Sequence, residues 1–255
     1  MKKSLIVIPF AIIFFSSCIK GLKKESNCDK IASATITSNS PVTIGQTIEF
    51  STQEVGSHRT YEWRGPDHYS WSYPGNSITY AELKNEGWYY LFIYSLNGDY
   101  CSKSDSVYID VKLKQGTPPC SLTANTSTFN NMASDIYTAV AKMNDPGLSL
   151  KVLTTVWPSQ KNIGVYFHPH WNWIEPEDGI YTTYDIPVWG QTDFNYNQLY
   201  IETVKNSILW TSRVGQSVYV SHVNGKLQVR FCNLDMGGYN GTSFTTIASG
   251  NVLEL

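Results

Sequence analysis

From Ile31 onward, apolar and polar residues alternate in short runs broken by glycine, proline and asparagine. That is the two-residue period of strands buried on one face. Gln46-Thr-Ile-Glu-Phe50 puts Ile48 and Phe50 on one side, Tyr61-Glu-Trp63 is the next strand, and Arg64-Gly-Pro-Asp67 breaks it. Gly87 opens Trp88-Tyr-Tyr-Leu-Phe-Ile93, in which Tyr89, Leu91 and Ile93 point one way. Asn97-Gly98 then turns the chain toward Ser106–Val111, where Val107, Ile109 and Val111 align likewise. These faces predict a common core.

Leu113 to Pro119, with Gly116, Pro118 and Pro119, reads as a short, stiff linker. Beyond it, Asp145-Pro-Gly-Leu148 suits a type II turn between a strand around Ile136 to Met143 and a strand Leu148–Val152. Met132, Ile136, Val140 and Met143 also fall at helical spacing, so a helix over Ser134 to Met143 competes with the strand. The clearest hairpin is Ser217 to Cys232, because Asn224-Gly225 favours a two-residue type I′ turn. Counting outward sets His222 opposite Leu227, Val220 opposite Val229 and Val218 opposite Phe231. Tyr200–Val204 and Thr245–Ala248 complete the predicted strands. Composition points the same way: aromatics are 14% and charged residues only 16%, rich in strand formers and poor in material for long helices. The predicted fold is all-β, a sandwich followed by a second antiparallel β-sandwich or flattened barrel.

The first residues follow another rule. Lys2 and Lys3 precede an apolar run, Leu5 to Phe15, too short for a permanent span, and Ser16-Ser17 supply small residues before Cys18. The segment resembles a bacterial lipoprotein signal, which implies cleavage after residue 17, acylation of Cys18 and a membrane partner reached through the lipid. An ordinary secretory signal cut near Ser17 is the alternative. Residues 18–29 form a polar tether. Acidic residues after the lipid cysteine are associated with surface export in Bacteroidetes-type lipoproteins, whereas here Ile-Lys-Gly-Leu-Lys-Lys follows. The expected location is the outer membrane, with the periplasmic or surface face left open. Removing Lys2 and Lys3 takes the formal charge from −2 to −4, which offers no footprint for nucleic acid.

Residues 30–113 resemble the immunoglobulin-like, PKD-like repeats of Bacteroidetes surface proteins. The likeness is carried by Pro41-Val42, Gly45-Gln-Thr-Ile48, Tyr61-Glu-Trp63-Arg-Gly65-Pro66, Gly87-Trp-Tyr89-Tyr-Leu91 and Cys101-Ser102. It implies that Trp63 is the buried tryptophan of the sandwich and Tyr89 its corner tyrosine. Residues 120–255, after a linker at 114–119, match no such pattern closely. With Cys18 set aside, Cys28, Cys101, Cys120 and Cys232 allow three pairings. The domain division favours Cys28 with Cys101 and Cys120 with Cys232, the second closing a loop for which chain entropy gives about 4–5 kcal/mol. Four free thiols are the alternative.

Candidate chemistry gathers in Phe167-His-Pro-His-Trp-Asn-Trp-Ile-Glu-Pro-Glu-Asp178. His168 and His170 share one side of an extended segment, and Glu175, Glu177 and Asp178 are near enough in sequence to close a metal site with them. Alternatively Trp171, Trp173, Tyr181 and Trp189 form an exposed aromatic platform for sugar rings or partner side chains. No nucleotide, serine-hydrolase or zinc-protease fingerprint occurs. The expectation is therefore a lipid-anchored envelope protein without cofactor, a non-catalytic binding or adhesion module for glycan or protein. The alternatives are a metal-dependent or acid/base hydrolase using the His168/His170 group, and a structural subunit of an envelope complex.

Overall fold

Alternation along the first half places nine strands: β1 (Ile36–Ser38), β2 (Val42–Thr43), β3 (Ile48–Thr52), β4 (Arg59–Arg64), β5 (Ser70–Trp71), β6 (Asn76–Ile78), β7 (Gly87–Ser95), β8 (Ser102–Ile109) and β9 (Val111–Lys112). The structure, a computed structural model, describes residues 35–53, 59–95, 102–130, 132–144, 148–152, 162–171, 174–184, 195–239 and 242–255. Sheet β1-β3-β6 faces sheet β5-β4-β7-β8, and β2 pairs with β9 in parallel. Ile48 and Phe50 from one sheet meet Trp63, Tyr89, Leu91, Ile93 and Ile109 from the other, all buried. The Phe50 ring lies 4.6 Å from that of Tyr89 and 5.5 Å from that of Trp63. Trp63 satisfies its buried indole by donating Nε1–H to the Tyr73 carbonyl at 2.8 Å. The Tyr89 hydroxyl donates to the Asn85 carbonyl four residues upstream at 2.9 Å, and burial pushes its pKa up. Gly65 makes room for that ring, since a Cβ there would come within 2.5 Å of it. These are the features of an immunoglobulin-like sandwich.

The second half supplies β10 (Thr126–Phe129), β11 (Met132–Ile136), β12 (Val140–Asn144), β13 (Leu148–Val152), β14 (Asn162–Phe167), β15 (Gly179–Thr183), β16 (Gln198–Lys205), β17 (Ile208–Ser212), β18 (Ser217–Val223), β19 (Lys226–Tyr239) and β20 (Ser243–Leu253). They form one sheet, in the order β11-β10-β20-β19-β18-β15-β16-β14-β13-β12, with β17 bridging β16 and β19. That bridge closes the circuit β16-β15-β18-β19-β17 into a flattened barrel. Its ladders are antiparallel except for β15 with β16. Strand β19 serves both walls: its first half pairs with β18 and its last four residues with β17. The change of partner follows a bulge between Phe231 and Leu234, where Asn233 takes φ 54°.

The β18–β19 register is the one counted from the sequence, and Asn224 and Gly225 take the positive φ values of 53° and 76° that a type I′ turn requires. Ser134 to Met143 is not a helix. It divides between β11 and β12, because Asp135 and Tyr137 are buried while Ile136 between them is 68% exposed, an alternation of two rather than a helical period. Strands β12 and β13 pair as expected; Asp145, Pro146 and Gly147 of the turn between them lie outside the described residues. Cys120 and Cys232 form a disulfide across 112 positions, tying the entry to the second half onto β19. Cys18, Cys28, Cys101 and the leader lie outside the described residues.

No ladder among the described residues joins β1–β9 to β10–β20. The connecting segment instead lies along β15: Ile180 donates its N–H to the Lys114 carbonyl at 2.8 Å, and Gln115 donates Nε2–H to the Asp178 carbonyl at 2.8 Å. Gly179 permits this approach, since a Cβ there would come within 2.4 Å of Leu113.

A buried ion pair joins β16 to β11: Lys205 Nζ is 2.8 Å from Asp135 Oδ2, also donates to the Ala133 carbonyl, and sits 4.7 Å over the Phe129 ring. Both side chains are more than nine-tenths covered. Lys205→Met alone leaves a buried carboxylate unpaired and is expected to cost about 3–5 kcal/mol in urea unfolding. Lys205→Met combined with Asp135→Leu is expected to cost much less. Equal costs for the single and double variants would contradict this reading of the pair.

Candidate functional site

The segment from Phe167 to Asp178 leaves β14, makes a single 3-10 turn at Pro169–Trp171 and returns as β15. That turn swings Trp171 inward, where its indole is buried and donates Nε1–H to the Tyr196 carbonyl at 2.7 Å. Tyr181 occupies an inward position of β15, fully buried, edge-on to Phe167 at 5.7 Å, with its hydroxyl donating to the Glu177 carbonyl. These two aromatics therefore belong to the core and not to an exposed platform. Trp173 and Trp189 lie outside the described residues.

The five candidate metal ligands separate. His168 is buried and its Nδ1 accepts the backbone N–H of His170 at 2.9 Å. His170 stacks flat on Tyr196, 4.0 Å between centroids and 6° between planes, and burial holds its pKa below the ordinary 6.5. Glu175 and Asp178 turn instead to His222, whose Nδ1 is 2.6 Å from Asp178 Oδ1 and whose Nε2 is 3.6 Å from Glu175 Oε2. Lys142 bonds Glu175 and lies 3.7 Å from Glu254. Burial pushes the Glu175 carboxyl up, but the bonds from Lys142 and His222 outweigh it and hold the pKa below the ordinary value. Among the described residues no group of three or more His, Cys, Asp or Glu is placed to hold a metal ion. The metal site expected from His168, His170, Glu175, Glu177 and Asp178 is thus not assembled, because His168 and His170 engage the loop backbone and Tyr196 while Glu175 and Asp178 turn to His222. His222 reaches its Asp178 partner across 44 positions, a pairing with no local signal in the sequence.

Glu177 faces the first sandwich across a cleft of about 460 Å³, whose lining includes Lys84, Glu86, His170, Trp171 and Tyr196. Burial raises its pKa, and the negative charge of Glu86 raises it further. Partial burial at one cleft thus shifts an acid up and an imidazole down, each toward its neutral form.

The exposed aromatic surface lies elsewhere, on the solvent side of β4, β7 and β8. An antiparallel sheet with one wet face ordinarily carries polar residues there. Here every outward position of β7 from 88 to 94 is aromatic: Trp88, Tyr90, Phe92 and Tyr94. Trp88, Tyr90 and, from β8, Tyr108 are 52%, 44% and 43% exposed. Trp88 packs edge-to-face on Tyr108 at 5.5 Å, and the Tyr108 hydroxyl donates to Glu86 at 2.9 Å. The Tyr94 hydroxyl donates to Glu62 at 2.8 Å, Arg64 Nε is 2.6 Å from the same carboxylate, and the Arg64 guanidinium lies 5.0 Å over the Phe92 ring. Bonds from Arg64 and then Tyr94 hold the Glu62 pKa below its ordinary value. Ser106 stands opposite Tyr90 in the ladder and is exposed. The signal was present as Trp88-Tyr-Tyr-Leu-Phe-Ile-Tyr94; following only the inward set passes over it.

No protein-family model matches the chain, and no curated protein does. Among solved structures the chain is similar to the N-terminal four Ig domains of Dscam1 isoform 7.44, with 22% identity and a TM-score of 0.26, over 32% of this chain and 21% of that one. It is similar to murine CEACAM1b, with 11% identity and a TM-score of 0.28, over 86% and 100% of the two chains. It is also similar to a carbohydrate-binding module of the β-sandwich superfamily, with 13% identity and a TM-score of 0.27, over 88% and 98%. The chain spans about a fifth of the Dscam1 fragment. Likeness this distant fixes neither ligand nor partner.

The opposed shifts in the cleft give opposite pH dependences. His170, held below 6.5, contributes stability above that value that is lost as pH falls through its folded pKa. Glu177, raised above 4.5, costs stability as pH rises through its folded pKa. Glu177→Gln is accordingly expected to raise Tm over the unaltered chain at pH 7 and to give no gain at pH 4. The same gain at both pH values would contradict the burial of the charge.

Proposed function

We propose that this chain is a non-catalytic binding protein of the cell envelope, held by lipid on Cys18, that engages a protein partner through the aromatic face of β4, β7 and β8. The observation that carries the reading is the unbroken outward row of Trp88, Tyr90, Phe92 and Tyr94 beside Tyr108. Exposed apolar patches of this kind mark interaction sites. Trp, Tyr and Arg are the residue types that dominate binding energy at protein interfaces. Arg64 and Glu62 on this face are already paired with each other, so covering them strands neither ion. Bonds from Tyr94 and Tyr108 fix rings before any partner arrives, which lowers the entropy lost on binding.

A protein suits the surface better than a sugar because the Phe92 ring is already occupied by Arg64 and leaves no continuous bare plane for stacking. The hydrolase alternative depended on His168, His170, Glu175, Glu177 and Asp178 coming together, whereas Glu175 and Asp178 turn to His222, away from His168 and His170. Anchoring in the outer membrane is supported by Lys2-Lys3, the apolar run to Phe15 and the cysteine that follows Ser16-Ser17.

A photo-crosslinking residue placed at Ser106 of the full chain in its own cells tests the site. One reproducible protein adduct is expected from position 106, absent from a control at Val214, which is exposed on the second half. Trp88→Ala with Tyr90→Ala is expected to reduce that adduct at least tenfold, in line with loss of two anchors at about 1–2 kcal/mol each. No adduct at 106, or the same adducts from both positions, would sink the proposal.

A further inference from the structure

The other sheet of the first sandwich carries a second, chemically different surface. Residues of β1, β3 and β6 line a trough of about 680 Å³ that reaches Trp71 of β5, at the edge of the facing sheet. We infer that this trough is a binding site for a neutral saccharide, a site that shares no residue with the aromatic face of β4, β7 and β8.

A sugar ring asks for two things at once, hydrogen-bond partners for its hydroxyls and an apolar surface for its C–H face. Trp71, 42% exposed, supplies the second. Its ring lies 5.7 Å from that of Tyr73, and the Tyr73 carbonyl accepts the buried Trp63 indole N–H, so the segment bearing the platform is tied to the core. The polar side is equally fixed. Asn39 is held at both ends of its amide, donating to the Thr47 carbonyl at 2.8 Å and accepting from the Glu49 N–H at 2.9 Å. The Thr37 and Ser51 hydroxyls bond each other at 2.6 Å, which leaves one hydroxyl hydrogen free to donate. The Glu49 carboxylate makes no hydrogen bond or ion pair among the described residues and is exposed in the trough, opposite Ser77 in the ladder. A carboxylate accepting from two neighbouring sugar hydroxyls makes strong, charge-assisted bonds. The Asn76 amide keeps its N–H donors, since its oxygen alone is used, by Ser77 N–H at 2.6 Å.

Charge narrows the class. Among the described residues, Glu49 is the one ionisable residue lining the trough, with no Lys, Arg or His in that lining. Uronate, sialate or sulfated sugars would meet an unbalanced negative charge. A single carboxylate among hydroxyls and amides also falls short of a metal cage. Neutral hexoses and N-acetylhexosamines remain, with Trp71 under the ring and Glu49 on its hydroxyls. Because the trough and the aromatic face share no residue, glycan and protein partner do not compete for the same side chains.

The test is an array of neutral hexose, N-acetylhexosamine and uronate-containing oligosaccharides, probed with the full chain in detergent. Retention of one or more neutral glycans is expected. It should fall at least tenfold in Trp71→Ala and separately in Glu49→Ala, an exposed position whose change spares the core, and should persist in Val214→Ser. Absence of any neutral glycan binding overturns the inference. So does a preference for uronates, or binding that survives both Trp71→Ala and Glu49→Ala. None of these outcomes bears on the adduct at position 106, so this site and the proposed protein-binding face stand or fall apart.

Discussion

The contact of Phe50 with Trp63 and Tyr89 decides what the first sandwich shows to its surroundings. Because side chains alternate along a strand, locking three aromatics inward also dictates which residues face out. With Tyr89, Leu91 and Ile93 inside, Trp88, Tyr90, Phe92 and Tyr94 have no choice but solvent. The same lock on β3, with Ile48 and Phe50 inside, turns Glu49 and Ser51 into the trough. Core packing and surface chemistry are one constraint read from two sides. The Tyr89 hydroxyl on Asn85 and the Trp63 indole on Tyr73 make the inward set costly to reverse, since a slip of one residue would bury an unpaired donor.

In the second half, the same residue types are used for cohesion. Trp171 and Tyr181 fill the joint between the barrel and the loop that returns to β15, and the connecting segment is bonded along that strand. Lys205 and Asp135 join distant strands through charge rather than apolar contact, and the disulfide ties the chain's entry to β19. Side chains committed this way are poor material for a binding surface.

Much of the architecture was legible because strand periodicity and turn chemistry are local. Asn224-Gly225 set a register that holds over six residue pairs, and the resemblance to immunoglobulin-like repeats implied the roles of Trp63 and Tyr89. The helix-or-strand ambiguity at Ser134 to Met143 was not resolvable locally, because burial of Asp135 depends on Lys205, 70 positions away. The site was misplaced for a related reason. A cluster such as His168, His170 and Glu175 looks convergent in one dimension, yet its true partners, His222, Lys142 and Tyr196, come from other strands and loops. The aromatic row of β7 was visible in sequence, but its meaning depends on knowing that no second layer covers it.

Footprinting measures that directly. Hydroxyl-radical labelling of the full chain on intact cells, compared with the purified chain, reports whether the outward rings of β7 and β8 are covered in place. Strong protection of Trp88, Tyr90 and Tyr108 is expected on cells, with Val214 labelled equally in both. Equal labelling of those three aromatics on cells and in solution would contradict the claim that this face is where the protein meets its partner.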